Sequence, residues 1–274
     1  AATTNASGLF SSTIFLQSQV PGHVELAMAL SILTPLAWLE RNPTYKEQLR
    51  ELSTRQLTTY GFLGYPVLQA ADIILYKATH VPIGVDQLPH LEIAREIVRK
   101  FHSLYGEGIF PEPAPLMSEI PKLLGLDNRK MSKSYENYIA LADSPEIVQK
   151  KVMAMITDPS RVRRNDPGHP DICNVFSYFT IFGKEQISEV RDYCEHAKLG
   201  CTDCKKNLAK ILNTFLEPIQ KRRSQFNQND VVRILKEGSD KAGAVASETM
   251  KQVKGLVGML DLADSGTCPE PVEG

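Results

Sequence analysis

The sequence predicts an α/β layer with parallel strands, followed by a wholly helical region. Three observations carry that expectation. Short β-branched runs alternate with helix-length apolar segments over residues 13–102, the pattern of strands joined by crossover helices. From Ile147 to Leu262 helix follows helix with no convincing strand. An apolar content of 42% over 274 residues suits one large or two modest domains and is too high for a disordered chain. The spans expected are 1–140 for the α/β domain, 141–262 for the helical domain and 263–274 for a disordered tail.

Taken in order, Thr13-Ile14-Phe15-Leu16-Gln17 is a β-branched and aromatic run and reads as a buried strand. Pro21-Gly22 breaks it, and Val24–Leu33 has the length and apolar content of a buried helix. A second helix is expected through Leu36–Arg41, and a third with Pro43 near its first turn, where the missing N–H costs nothing. Pro66–Ala78 is the most apolar helix candidate. Val81-Pro82-Ile83-Gly84 reads as a short strand closed by glycine, followed by a helix from about Gln87 to His102. In that helix Glu92/Glu96 and Arg95/Arg99 are spaced as charge partners. The proline-rich stretch Gly106–Pro121 is expected to be a loop, and Asp127–Tyr138 polar and turn-like. Ser144-Pro145-Glu146 is a good helix start.

Charge balance narrows the function classes. Lys and Arg number 31 against 32 Asp and Glu, so the net charge of −1 excludes a strongly basic nucleic-acid-coating protein. RNA or nucleotide contacts must then come from local clusters. Five cysteines, unevenly placed, do not make a disulfide scaffold and imply a reducing, cytoplasmic setting. No stretch approaches the ~18 apolar residues of a membrane span.

Three local patterns suggest chemistry. Tyr65, Gln69, Asp72 and Tyr76 fall on one helical face, while the positions between them from Val67 to Leu75 are Val, Leu, Ala or Ile. Either that stripe faces water, or it lines a pocket in which Asp72 accepts a hydrogen bond from a ligand N–H. Gly84-Val85-Asp86-Gln87 sits where a strand gives way to a helix, the place where open α/β sheets bind ligands; the alternative is that Asp86 only caps the helix. Lys130-Met131-Ser132-Lys133-Ser134, preceded by Arg129, puts cations and small hydroxyl residues in a polar loop. That suits a clamp stabilising charge on a departing pyrophosphate, against the alternative of a basic surface loop.

Cys173, Cys194, Cys201 and Cys204 have 20, 6 and 2 residues between them, and Cys268 stands apart. They are either scattered core residues or a four-thiolate metal site, zinc or iron–sulfur. Arg161/Arg163/Arg164, Lys205/Lys206/Lys210 and Lys221/Arg222/Arg223 are candidate RNA contacts or simply solvated faces.

KMSKS at 130–134 is similar to the signature of class I aminoacyl-tRNA synthetases. Tyr65-Pro66-Val67-Leu68-Gln69-Ala70-Ala71-Asp72-Ile73-Ile74-Leu75-Tyr76 and Val81–Gln87 resemble the tryptophanyl-tRNA synthetases among them, and the likeness covers about Gly8–Leu262. The resemblance implies a Rossmann-like catalytic domain followed by a helical anticodon-binding domain. It further implies ATP, with Mg2+, as substrate, L-tryptophan and tRNA(Trp) as partners, and a homodimer. By the same likeness Asp72 binds the indole N–H, Val81 and Ile83 line the indole slot with Tyr65, and Gln69 with Asp86 and Gln87 lies around the amino acid and ribose. Gly84 and Ser132 belong to the ATP site, Lys130 and Lys133 hold the triphosphate, and Met131 lies near adenine. One subgroup carries a [4Fe–4S] cluster on a cysteine pattern similar to Cys173, Cys194, Cys201 and Cys204, with zinc as the alternative. Two departures stand out: Val85 replaces an acidic residue, and the family's opening strand, glycine-rich turn and histidine ATP motif have no counterpart, so an N-terminally truncated synthetase is expected. Two rivals remain open: a tyrosyl enzyme, against which the apolar Val81/Ile83 pair argues, and a non-catalytic tRNA- or metal-binding remnant.

Overall fold

A computed structural model describes residues 12–51, 59–106, 108–117, 123–131 and 133–259. Ser132 and the tail 263–274 lie outside the described residues. The chain divides into two compact units, one of residues 13–119 with 233–274, the other of residues 1–12 with 120–232.

The first unit contains α1 (Gly22–Leu33), α2 (Leu36–Glu40), α3 (Pro43–Glu51), α4 (Tyr60–Ile74), β1 (His80–Ile83), α5 (Leu88–Tyr105) and β2 (Ala114–Met117). To these it adds residues 233–256 of the last helix, α10 (Gln228–Leu256). β1 and β2 pair in parallel, Val81 opposite Pro115 and Ile83 opposite Met117, with α5 as the crossover that a parallel pair requires. Leu26 and Leu30 of α1, Ile74 and Leu75 around the end of α4, and Ile97 and Phe101 of α5 are fully buried together. Each contributes about 1.5–3 kcal/mol of burial. Ala242, Ala246, Met250 and Val253 of α10 close the same core.

Three expectations need correcting here. Thr13–Gln17 is not a strand: its backbone runs extended and then turns through a 3-10 segment at Gln17–Gln19. The segment is committed to α10, since the Leu16 N–H donates to Ser239 Oγ at 3.2 Å. Gly238 also lies against it; a Cβ there would stand 1.9 Å from the Ile14 carbonyl oxygen. The helix expected at Pro66–Ala78 starts earlier, where Thr59 Oγ1 caps the Phe62 N–H at 3.3 Å, and carries Pro66 inside it. Gly61 and Gly64 conceal that start, because glycine is a poor helix former. It ends at Ile74, before Tyr76, and Lys77 with φ of 52° completes the turn. Within the expected loop Gly106–Pro121 lies β2. Pro82 and Pro115 obscure the pairing, yet a two-stranded sheet is all edge and tolerates them.

The second unit holds α6 (Pro145–Ala154), α7 (Asn174–Phe182), α8 (Ile187–Glu195) and α9 (Cys201–Arg223). Ser144 Oγ accepts the Ile147 N–H at 3.4 Å, as its position before Pro145 predicts. Val148, Val152, Phe176, Phe179, Leu208 and Leu212 form the core. From Ile147 to Met259 no strand is found among the described residues.

Candidate functional site

Tyr65, Gln69 and Asp72 line one half-buried side of α4, while Val67, Ala70, Ala71 and Ile74 are buried on the other. Asp72 is held from two directions. His23 Nδ1 and Gln17 Nε2 each lie 2.6 Å from its Oδ1. His23 Nε2 meets the Tyr76 hydroxyl at 2.7 Å, so the stripe continues past the helix end through a histidine. Burial, helped by the Asp72 charge, pushes the Tyr76 phenol up to about 12 and keeps its proton in place. The pattern of residues 65–76 does not reveal His23, because its partners lie 49 and 53 positions away.

On β1, Val81 and Ile83 share the partly buried face, with His80 and Pro82 on the exposed one. The following turn, Val85–Gln87, leads into α5. Asp86 does not cap that helix. Its carboxylate instead accepts from Gln87 Nε2 at 3.2 Å and lies over Gly84, where a Cβ would meet Asp86 Oδ1 at 2.8 Å. His90, one turn into α5 and 2% exposed, shares a hydrogen bond with the Tyr65 hydroxyl through Nε2 at 2.5 Å. Burial lowers the His90 pKa, opposed by the Asp86 charge, and burial raises that of Tyr65. Both shifts favour a neutral ring beside a neutral phenol.

In the second unit, the loop carrying Lys130, Met131 and Lys133 is anchored at its base and exposed at its tip. Asp127 accepts from the Arg129 N–H at 3.1 Å, from Arg129 Nε at 2.7 Å and from Asn137 Nδ2 at 2.7 Å. These donors hold its carboxyl down at about 2. Asn137 also donates to the Lys130 carbonyl at 3.1 Å and packs on Gly125, where any Cβ would collide with it. Arg129 is thus spent on Asp127 and on the Tyr135 ring, 4.8 Å away. Lys130 and Lys133 are exposed and have no carboxylate partner among the described residues, leaving both ammonium groups available to an anion.

The same unit brings the four spaced cysteines around one apolar cavity of about 20 Å³. Cys173 precedes α7, Cys194 lies in the last turn of α8, and Cys201 and Cys204 open α9 after Gly200. All four are free thiols. Burial raises Cys173, and raises Cys194 and Cys204 with help from the neighbouring sulfurs, Cys204 to about 12. Arg161 Nη1 approaches Cys201 Sγ at 3.8 Å. Among the described residues no three His, Cys, Asp or Glu side chains stand close enough to hold a metal ion as they are. Of the basic clusters, Lys205 is tied to the Met153 carbonyl at 2.9 Å, and Lys206 and Lys221 pair with Asp203 and Glu217.

A parallel pair with a helical crossover makes the first unit an α/β fold. The family description "tRNA synthetases class I (W and Y)" matches residues 4–217, and the chain belongs to that family. Among its relatives, the tryptophan–tRNA ligase of Thermotoga maritima is 46% identical, over 91% of this chain and 77% of that one. The tryptophan–tRNA ligase of Aquifex aeolicus is 39% identical, over 89% and 80%. A solved tryptophanyl-tRNA synthetase of Campylobacter jejuni, complexed with ADP and tryptophan, superposes with a TM-score of 0.78 at 30% identity, covering 94% of this chain and 82% of the other.

Proposed function

We propose that this chain is a tryptophan–tRNA ligase. It activates L-tryptophan with ATP, as the magnesium complex, and transfers the aminoacyl group to tRNA(Trp). In the first step the tryptophan carboxylate attacks the α-phosphorus and magnesium pyrophosphate leaves. No side chain acts as nucleophile, so catalysis is positioning plus charge stabilisation. The reading is supported most by Asp72, a carboxylate on an otherwise uncharged helix with one oxygen engaged and the side chain 37% exposed. That is the equipment for receiving one N–H in apolar surroundings. Val81, Ile83 and Tyr65 supply the apolar slot and Gln69 a polar neighbour. Gly84, Asp86 and Gln87 serve the ribose and amino acid; Lys130 and Lys133, with Met131 and Ser132, serve the triphosphate.

The helical span 141–262 carries the anticodon contacts, and the working form is a cytoplasmic homodimer. Cys173, Cys194, Cys201 and Cys204 fit a metal by donor chemistry: four thiols face one cavity, a set that suits a [4Fe–4S] cluster or Zn2+. The group would fix the ends of α7, α8 and α9 and takes no part in the reaction.

Tryptophan-dependent exchange of pyrophosphate into ATP, followed by charging of tRNA(Trp), tests the assignment. Tyrosine should not substitute. Exchange driven by tyrosine, or by neither amino acid, would overturn it.

A further inference from the structure

We propose that His23 is a positioning residue that aims the Asp72 carboxylate; the inference rests on Asp72 being the acceptor for the indole N–H. A carboxylate at the edge of a pocket rotates about its last bond and offers either oxygen to water. Here it is not free to do so. His23 is 2% exposed and boxed between Phe15, stacked at 5.8 Å, and Tyr76 at 5.4 Å. Both of its ring nitrogens are used, Nδ1 on Asp72 Oδ1 at 2.6 Å and Nε2 on the Tyr76 hydroxyl at 2.7 Å.

The chemistry of Asp72 fixes the direction of the first bond. An ionised carboxylate only accepts, so Nδ1 carries the proton and donates to Asp72. Nε2 meets the hydroxyl of the Tyr76 phenol, which keeps its proton because its pKa is pushed up to about 12 by burial and the Asp72 charge. The hydrogen-bonded chain links Tyr76, His23 and Asp72 Oδ1. Gln17 Nε2 adds a second donor to the same oxygen at 2.6 Å. Among the described residues Oδ2 accepts nothing, so the carboxylate is held by one oxygen and presents the other. Such oriented acceptors discriminate by N–H presence, because an analogue without one leaves a partly buried charge unpaired.

The experiment compares L-tryptophan with its benzothienyl analogue, which replaces the ring N–H by sulfur, by isothermal titration. The proteins are wild type, Asp72→Asn, His23→Leu, His23→Asn and Tyr76→Phe. Asn places an amide N–H where Nδ1 stands, so it restores the donor without the ring. His23→Leu should lose roughly tenfold of the preference for tryptophan, and His23→Asn should recover most of it. Tyr76→Phe, which removes the hydroxyl that meets Nε2 and so loosens the ring behind Asp72, should fall between them. Loss in His23→Leu without recovery in His23→Asn would mean that the ring is only packing and would overturn the proposal. So would undiminished discrimination in His23→Leu or, should that variant fail to fold, in Tyr76→Phe. If Asp72→Asn leaves the preference intact, the indole-acceptor reading itself is wrong and the proposal falls with it.

Discussion

On the proposed assignment Asp72 serves recognition and the two loop lysines serve activation, and substitutions should separate them. Asp72→Asn removes a charge-assisted acceptor contributing about 1.5–3 kcal/mol. Tryptophan kcat/KM is expected to fall tenfold or more, with melting temperature little changed. Lys130→Ala and Lys133→Ala should each slow adenylate formation on the order of a hundredfold while leaving tryptophan affinity nearly intact. Equal losses of both would point to misfolding. His90 gives a pH signature. Its folded pKa lies below the ordinary value, so between the two the unfolded chain binds the extra proton. Stability from the Tyr65–His90 contact is therefore complete above about pH 6.5 and lost as pH falls towards the folded value. A His90→Gln variant should show a flatter melting-temperature profile below pH 6.5. Asp72 and the lysines stand out in the sequence because each belongs to a local pattern. His23 and His90 do not, since their roles depend on partners 49 and 25 positions away.

Among the elements, helices announced by capping chemistry or by long periodicity were read correctly. α6 starts at Pro145 behind its Ser144 cap, and α5 falls close to the expected span. Misreadings gathered where local chemistry and tertiary contacts disagree. Residues 13–17 have strand composition, yet their backbone is used by α10. β2 has proline composition, yet pairs with β1. Glycine at 238 is what lets the 13–17 segment approach its helix. Gly238→Ala should therefore destabilise the protein by about 1–3 kcal/mol and, by displacing Phe15 and Gln17, weaken tryptophan binding as well. Chemical denaturation and titration calorimetry on one preparation read both effects. A fully stable variant with unchanged affinity would show that the segment moves aside freely.

For the whole molecule, the sequence spoke least clearly about how the chain divides. The first unit is discontinuous in sequence: its last core residues come from α10, after all four helices of the second unit. A boundary search along the chain has no signal for that return. The cysteines make a global prediction: protein purified anaerobically should be brown, with about four iron and four sulfide per chain. Cys204→Ser should abolish the colour and lower the melting temperature. Colourless protein with one zinc would retire the cluster, and four alkylatable thiols without metal would retire the site. The contact of Gly238 with Ile14 has another consequence, in the history of the sequence. When two side chains collide, a later change in either can relieve the clash. Here the obstructing atom is a main-chain carbonyl, which every amino acid carries. No substitution at position 14 removes it, so a side chain gained at 238 has no partner mutation to restore the fit, and reversion is the direct way back.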